Sequence, residues 1–254
     1  MRTLALLIGI ASLAGCISVD DNNSVTNEQG ETVSTETLSL NGFWDGQLDQ
    51  ATDIRLMIYQ GTVYGLDETQ GYYGTVKLSQ SNQTVSMSLT GYAITASDTT
   101  ALHYLADGTA VDYSLDGLVF TTTTTSDTLV GDYENDSTAG SFYLTDDGTW
   151  DTNSAVSLVE GEWTAGDYSL YITSLGSRAS MKAVSSSVAG CTFSGYIAPM
   201  DKQYNLYDVS ITERKNCDDY NDTSVSGYAT ITTDGELEFF LRKSALLYYM
   251  IFQR

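Results

Sequence analysis

The chain is nearly without proline and histidine and is short of positive charge. It holds one proline, one histidine, and 11 lysines and arginines against 33 acids, for a formal charge of -22. Such a surface repels polyanions, so nucleic acid is excluded as a partner. With His103 the sole histidine, and with neither a Gly-x-Ser-x-Gly nor a phosphate-cradling glycine loop with lysine, no nucleophile and base can be assembled from recognisable parts. The chain therefore reads as non-catalytic. Paired carboxylates need no local signature, so a carbohydrate-active enzyme stays open as an alternative. No metal or cofactor is expected, because two thiols and one distant histidine fall short of a ligand set.

Long apolar runs are lacking too. The longest near the N-terminus, residues 4–13, follows Arg2 and has about half the length a membrane-spanning helix requires. It ends in small residues before a cysteine, the layout of a cleavable targeting segment. Leu13, Ala14, Gly15 and Cys16 resemble the lipobox of bacterial lipoproteins at all four positions. That resemblance implies cleavage after residue 15, acylation of Cys16, and anchoring to membrane lipid through more than one acyl chain. Ile17, where an aspartate would favour the inner membrane in many such proteins, points to the outer membrane. Removing residues 1–15 costs one arginine and no acid, leaving ten bases against the 33 acids.

Residues 16–39 are mostly Asp, Asn, Ser, Thr, Glu and Gln, a composition that reads as a disordered tether. From Leu40 onward the period is two. Ile54, Leu56 and Ile58 alternate with polar residues, as do Val85, Met87 and Leu89, then Tyr168, Leu170 and Ile172, then Tyr207, Val209 and Ile211. These are half-buried antiparallel strands, and no stretch holds a helical period for three turns. Asp107-Gly108, Asp147-Gly148 and Asp234-Gly235 supply hairpin turn signals. The expected fold is all-β, with antiparallel sheets forming two small barrels or sandwiches over residues 40–126 and 127–254. One continuous sandwich is the competing arrangement. Asn41-Gly42-Phe43-Trp44, Val130-Gly131-Asp132-Tyr133 and Glu160-Gly161-Glu162-Trp163 echo one another as openings of β-rich regions. Gly-Tyr recurs at residues 71, 91, 195 and 227, where a strand glycine marks a bulge or bend.

With Cys16 assigned to lipid, Cys191 and Cys217 remain. An oxidising compartment predicts their disulfide, and a hairpin folded between Pro199 and Asn205 brings them opposite each other. Closing a loop of this size stabilises by about 3–4 kcal/mol in the loop-entropy account.

Gly42, Trp44 and Gly46 resemble the Gly-x-Trp opening of lipocalins and of avidin-like barrels. That likeness implies an up-and-down barrel closed at one end by the tryptophan and able to hold a small apolar ligand, with Trp44, Tyr59 and Tyr92 as candidate ligand-binding residues. The order of Cys191, Phe193, Gly195, Asn205, Tyr207, Cys217 and Gly227-Tyr228 is similar to a pattern in uncharacterised β-rich bacterial lipoproteins. Eighteen tyrosines and three tryptophans can also supply stacking platforms for sugar rings. Acidic clusters at Asp132 to Asp136 and Asp218 to Asp222 lack the spacing of a calcium loop and read as solvated turns. The sequence thus points to a lipid-anchored outer-membrane binding or scaffolding module for an envelope partner. A calycin-like binder of an apolar ligand and a carbohydrate-binding protein are the alternatives.

Overall fold

A computed structural model describes residues 19–20, 24–26, 32–34, 38–94, 104–121, 127–186, 191–217 and 224–254. The lipobox, His103 and the cluster at residues 218–222 lie outside them. The chain divides into Met1–Ser39 and Leu40–Arg254. Within the first unit, where composition led us to expect no ordered elements, β1 (Val19–Asp20), β2 (Ser24–Thr26) and β3 (Thr32–Ser34) form a small antiparallel sheet. Its register aligns Val19, Val25 and Val33, three β-formers that the polar average had hidden.

In the second unit the alternating segments become strands: β4 (Gly42–Leu48), β5 (Thr52–Tyr59), β6 (Thr62–Asp67), β7 (Gln70–Ser79), β8 (Thr84–Ile94), β9 (Tyr104–Phe120), β10 (Thr128–Glu134) and β11 (Ala139–Asp146). Each pairs antiparallel with the next, and β11 pairs back onto β4, closing an eight-stranded up-and-down barrel. Ile54, Leu56 and Ile58, with Val85, Met87 and Leu89, are buried in its interior, as their spacing predicted. A ring this small bends its strands sharply, and glycines absorb the bending where backbones nearly touch. A Cβ on Gly74 would sit 1.9 Å from the Ser88 carbonyl oxygen, and one on Gly131 would sit 2.1 Å from that of Asp116.

After a connection carrying α1 (Val156–Val159), the meander repeats. It runs through β12 (Gly161–Ala165), β13 (Tyr168–Ser174), β14 (Ala179–Ser185), β15 (Thr192–Pro199), β16 (Tyr207–Lys215), β17 (Val225–Ile231), β18 (Leu237–Lys243) and β19 (Leu246–Phe252). Thr164 and Gln253 exchange backbone hydrogen bonds of 2.6 and 2.8 Å, bringing β12 back to the end of β19 in a second ring. Its core includes Trp163, Leu170, Ile172, Tyr207, Val209 and Ile211, all buried. β15 and β16 form the hairpin expected from the cysteine spacing, and the Cys191–Cys217 disulfide spans its open end at a Cα separation of 4.8 Å.

The two rings open alike. The Trp44 indole donates to the carbonyl of Leu40 at 3.0 Å, and that of Trp163 to Val159 at 2.8 Å, four residues back in each case. Gly161, two residues before Trp163, has φ 128, a conformation closed to other residues. The guanidinium of Arg254 covers the Trp163 ring at 4.5 Å and donates to Leu158 O, pinning the chain end across the ring mouth.

Three readings are corrected by these pairings. The first ring runs to Asp146, so the boundary falls between Asp146 and Gly161 and not near Ser126; β10 bonds β9 on one side and β11 on the other. Val130-Gly131-Asp132-Tyr133 therefore lies inside β10 and opens no region. Of the turn signals, Asp234-Gly235 makes a hairpin, Asp107-Gly108 lies within β9, and Asp147-Gly148 lies on the connection between rings. Bulges occur at two of the four Gly-Tyr sites, between Gly91 and Ala93 and between Ser194 and Gly195.

The rings share more than a connection. The N-terminal part of β9 pairs with β19, through Ala106 opposite Leu247 and Tyr104 opposite Tyr249, before the strand continues into the first barrel. Phe43, Met57 and Tyr64 from the first ring pack with Leu206, Phe240 and Tyr249. Within this seam Arg55 forms a two-pronged pair with Glu238 at 2.7 and 2.8 Å, and its remaining nitrogen reaches Asp45 at 2.8 Å and Asp147 at 2.9 Å. Glu238, 0% exposed, also accepts from the Tyr249 hydroxyl. Burial pulls the Arg55 pKa down, but Glu238 and then Asp45 more than offset it, and the net shift is upward. Replacing Arg55 with Met strands the Glu238 carboxylate, and we expect a loss of about 3–5 kcal/mol in urea unfolding. The R55M/E238Q double variant, which removes the stranded charge but keeps an acceptor for Tyr249, should recover about 1–3 kcal/mol of it.

Candidate functional site

The seam carries a belt of rings, with Tyr64 buried in it and Tyr59, Tyr73, Trp150 and Tyr228 partly buried against it. Tyr59 closes β5, Tyr64 lies on β6, Tyr73 on β7 and Tyr228 on β17; Trp150 comes from the connection between rings and Tyr204 from the β15–β16 turn. Trp150 stacks on Tyr204 with centroids 4.7 Å apart and planes 20° from parallel. Tyr59 meets Trp150 at 5.9 Å and Tyr228 edge-on at 5.3 Å. The belt continues from Tyr228 to Tyr64 at 6.0 Å and from Tyr64 to Tyr73 at 5.0 Å.

At the Trp150 end the rings enclose a pocket of about 210 Å³ lined also by Asn41, Gln60, Met200, Asp201 and Leu206. Its walls are fixed from behind. Asn205, buried, donates its backbone N–H to Trp150 O at 3.1 Å, and its side-chain amide bonds both the carbonyl and the N–H of Ile231, so the turn bearing Tyr204 is tied to β17. The Thr230 hydroxyl donates to Asn205 O at 2.8 Å, and the Ser154 hydroxyl holds Asp201 O at the same distance. On the opposite wall the Asn41 carbonyl accepts the Gln60 N–H at 2.8 Å, and the Gln60 amide donates to the Tyr59 hydroxyl at 3.0 Å. The result is a preorganised cleft in which aromatic faces adjoin amides and a carboxylate. It can pack an apolar ring face while meeting hydroxyl groups at its rim.

Of the residues expected to bind ligand, Tyr59 lies in this cleft. Trp44 alternates to the other side of β4 and fills the first barrel at 2% exposure, so the two do not meet. Tyr92 sits on the outer face of β8 beside the Gly91 bulge, half-buried, and does not line the cleft. Trp150, Tyr204 and Tyr228 were missed. The sequence offered only that Trp150 follows a turn signal and that Tyr228 belongs to a Gly-Tyr phrase. The acidic segment at residues 132–136 is a turn only from Asn135, which accepts the backbone N–H groups of Ser137 and Thr138 at 2.8 Å each; Asp132 and Glu134 belong to β10. Among the described residues no group of three or more His, Cys, Asp or Glu is arranged to hold a metal.

These features define a double-barrel β protein with a preformed aromatic cleft at the joint. No family model matches the chain, and no curated protein matches it. A similar solved structure is that of "Aeromonas veronii immune modulator A", at 10% identity and a TM-score of 0.37, covering 84% of this chain and 94% of that one.

Asp146 pairs with Trp44 across β4 and β11, and its carboxylate and the Trp150 Cβ both border Gly42. Burial pushes its carboxyl up to about 6 from an ordinary 3.8; the Gly148 N–H opposes this, while Asp147, Asp151 and Asp127 add repulsion. Because the folded form holds the proton more tightly, this group's contribution to stability is full below about pH 4 and is lost as pH rises through 6. Asp146→Asn should therefore stabilise the protein by about 1 kcal/mol at pH 7.5, after allowance for solvent screening, and leave it unchanged at pH 3.5. Thermal melts at the two pH values test this.

Proposed function

We propose that this chain is a lipid-anchored, non-catalytic binding module of the bacterial outer membrane, and that its recognising surface is the aromatic cleft at the barrel joint. The ligand is a saccharide. The observation that carries this reading is the Trp150–Tyr204 stack with Tyr59 beside it, around a pocket sized for one small ring and rimmed by Asn41, Gln60 and Asp201. Sugar rings present C–H faces to aromatic side chains and hydroxyls to amides and carboxylates at the edge, which is the chemistry arrayed here. Two other readings draw less support. A calycin-like apolar ligand needs interior room, whereas Trp44, Leu56, Ile58, Met87, Leu129 and Leu144 occupy the first barrel, each with 2% exposure or less. Partner capture by strand addition needs free edges, and closure of the rings leaves few.

Trp44 and Trp163 are buried, so Trp150 is the tryptophan placed to report an occupant of the cleft. A saccharide panel should change the fluorescence, with Trp150→Ala and Tyr59→Ala weakening binding at least tenfold and Trp150→Phe retaining most of it. If no sugar in the panel perturbs Trp150, the saccharide reading is wrong. The anchor is tested separately: Cys16→Ser should move the protein from the membrane to the soluble fraction of a cell lysate, and unchanged membrane association would remove lipid from the proposal.

A further inference from the structure

The belt does not end in a tyrosine. At its far end the Arg242 guanidinium lies over Tyr73, its central carbon 3.6 Å from the ring centroid. Its Nε is buried and has no hydrogen-bond partner among the described residues, and no carboxylate among them lies within salt-bridge distance. Several other described cations also lack a carboxylate partner; what marks Arg242 is the buried, unpartnered Nε at the end of the belt. Arg55, in the same seam, takes three carboxylates. The outward face near Tyr73 also carries Lys77, four residues along β7, while the nearest acid in that row of the sheet, Asp112, lies beyond Thr90 and accepts from its hydroxyl at 2.9 Å. Charge along the belt is therefore uneven: Asp201 lines the pocket at the Trp150 end, Asp208 pairs with Tyr228, and Arg242 stands at Tyr73.

We infer that the saccharide bound at this seam carries a carboxylate, and that Arg242 reads it. The inference rests on the saccharide reading above. A guanidinium held over an aromatic ring keeps outer N–H groups free to form a fork to a planar carboxylate. The overall charge narrows the ligand further. A polyanion would meet repulsion from the acidic surface along its whole length, whereas a short glycan with one acidic ring brings its single charge directly to Arg242, and exposed acids beyond about 8 Å are screened at physiological ionic strength. The occupant is thus a short oligosaccharide containing one acidic sugar, with its neutral portion toward Trp150.

Matched pairs test this. Sialyllactose against its carboxyl-reduced alcohol and cellobiouronic acid against cellobiose, titrated calorimetrically into the full folded chain, each differ in one carboxylate. In at least one pair the acidic member should bind about tenfold more tightly, and which pair does so distinguishes the two sources of the acid. Arg242→Gln should abolish that difference while leaving affinity for the neutral member unchanged, and Arg242→Lys should restore only part of it. Equal affinity within both pairs, or a preference that survives in Arg242→Gln, overturns the role of Arg242 and leaves the saccharide reading standing. Failure of every sugar in the pairs and in the wider panel to bind overturns both.

Discussion

The molecule depends on how two closed rings are held in one orientation. The first barrel is closed by ladders throughout and the second by a single bridge between Thr164 and Gln253, and among the described residues the short pairing of β19 with β9 is the ladder that joins them. Side chains of the seam do the rest, and among them the two-pronged Arg55–Glu238 pair is the most directional. A buried pair of this kind often contributes little net stability over an apolar replacement, because desolvation offsets its attraction. What it contributes is register. Phe43, Met57, Phe240 and Tyr249 could slide over one another at little cost, but a guanidinium bound to Glu238, Asp45 and Asp147 together accepts one alignment. The cleft inherits that alignment, since Tyr59 comes from one ring and Tyr204 and Tyr228 from the other.

Period-two alternation made the strands legible because each of the four segments singled out has a barrel interior on one side. The reading was weaker where both faces are covered. Leu237 to Leu241 is buried throughout: Leu237, Phe239 and Leu241 face the ring interior, while Glu238 and Phe240 face the seam. By alternation alone Glu238 reads as a solvent-facing acid, and nothing local shows that a cation 183 positions away will cover it. The misplaced boundary has a similar cause. The threonine run after Phe120 looks like a linker, yet β10 returns antiparallel to β9 with seven aligned pairs, a long-range consequence of closing the ring that no composition shift announces.

The same distinction explains why the site was harder to read than the disulfide. Cys191 and Cys217 flank a single hairpin, so sequence distance and spatial distance are linked through one turn. The cleft draws on β5, the connection between rings and the β15–β16 turn, and its residues converge only after both barrels have formed. Trp44 illustrates the opposite case. Its Gly-x-Trp setting was recognisable and implied a tryptophan closing a barrel end, which is where it sits, with its indole bonded to Leu40 O. Its likeness to ligand-binding barrels located a structural device and said nothing about a ligand, since function belongs to the site and not to the fold.

Filled interiors have a consequence for where binding can evolve. In a single small barrel the natural cavity is the lumen, and a lumen packed with Trp44, Leu56, Ile58 and Met87 offers nothing to a ligand. Placing a second filled barrel beside the first makes a new concavity at the joint without opening either core. The walls of that concavity are the outward faces of strands, where substitutions need not disturb barrel packing, and its floor is held by Asn205, which ties the Tyr204 turn to β17 and Trp150 at once. The aromatic belt lies where residues of both rings, such as Tyr59 and Tyr228, are set against each other.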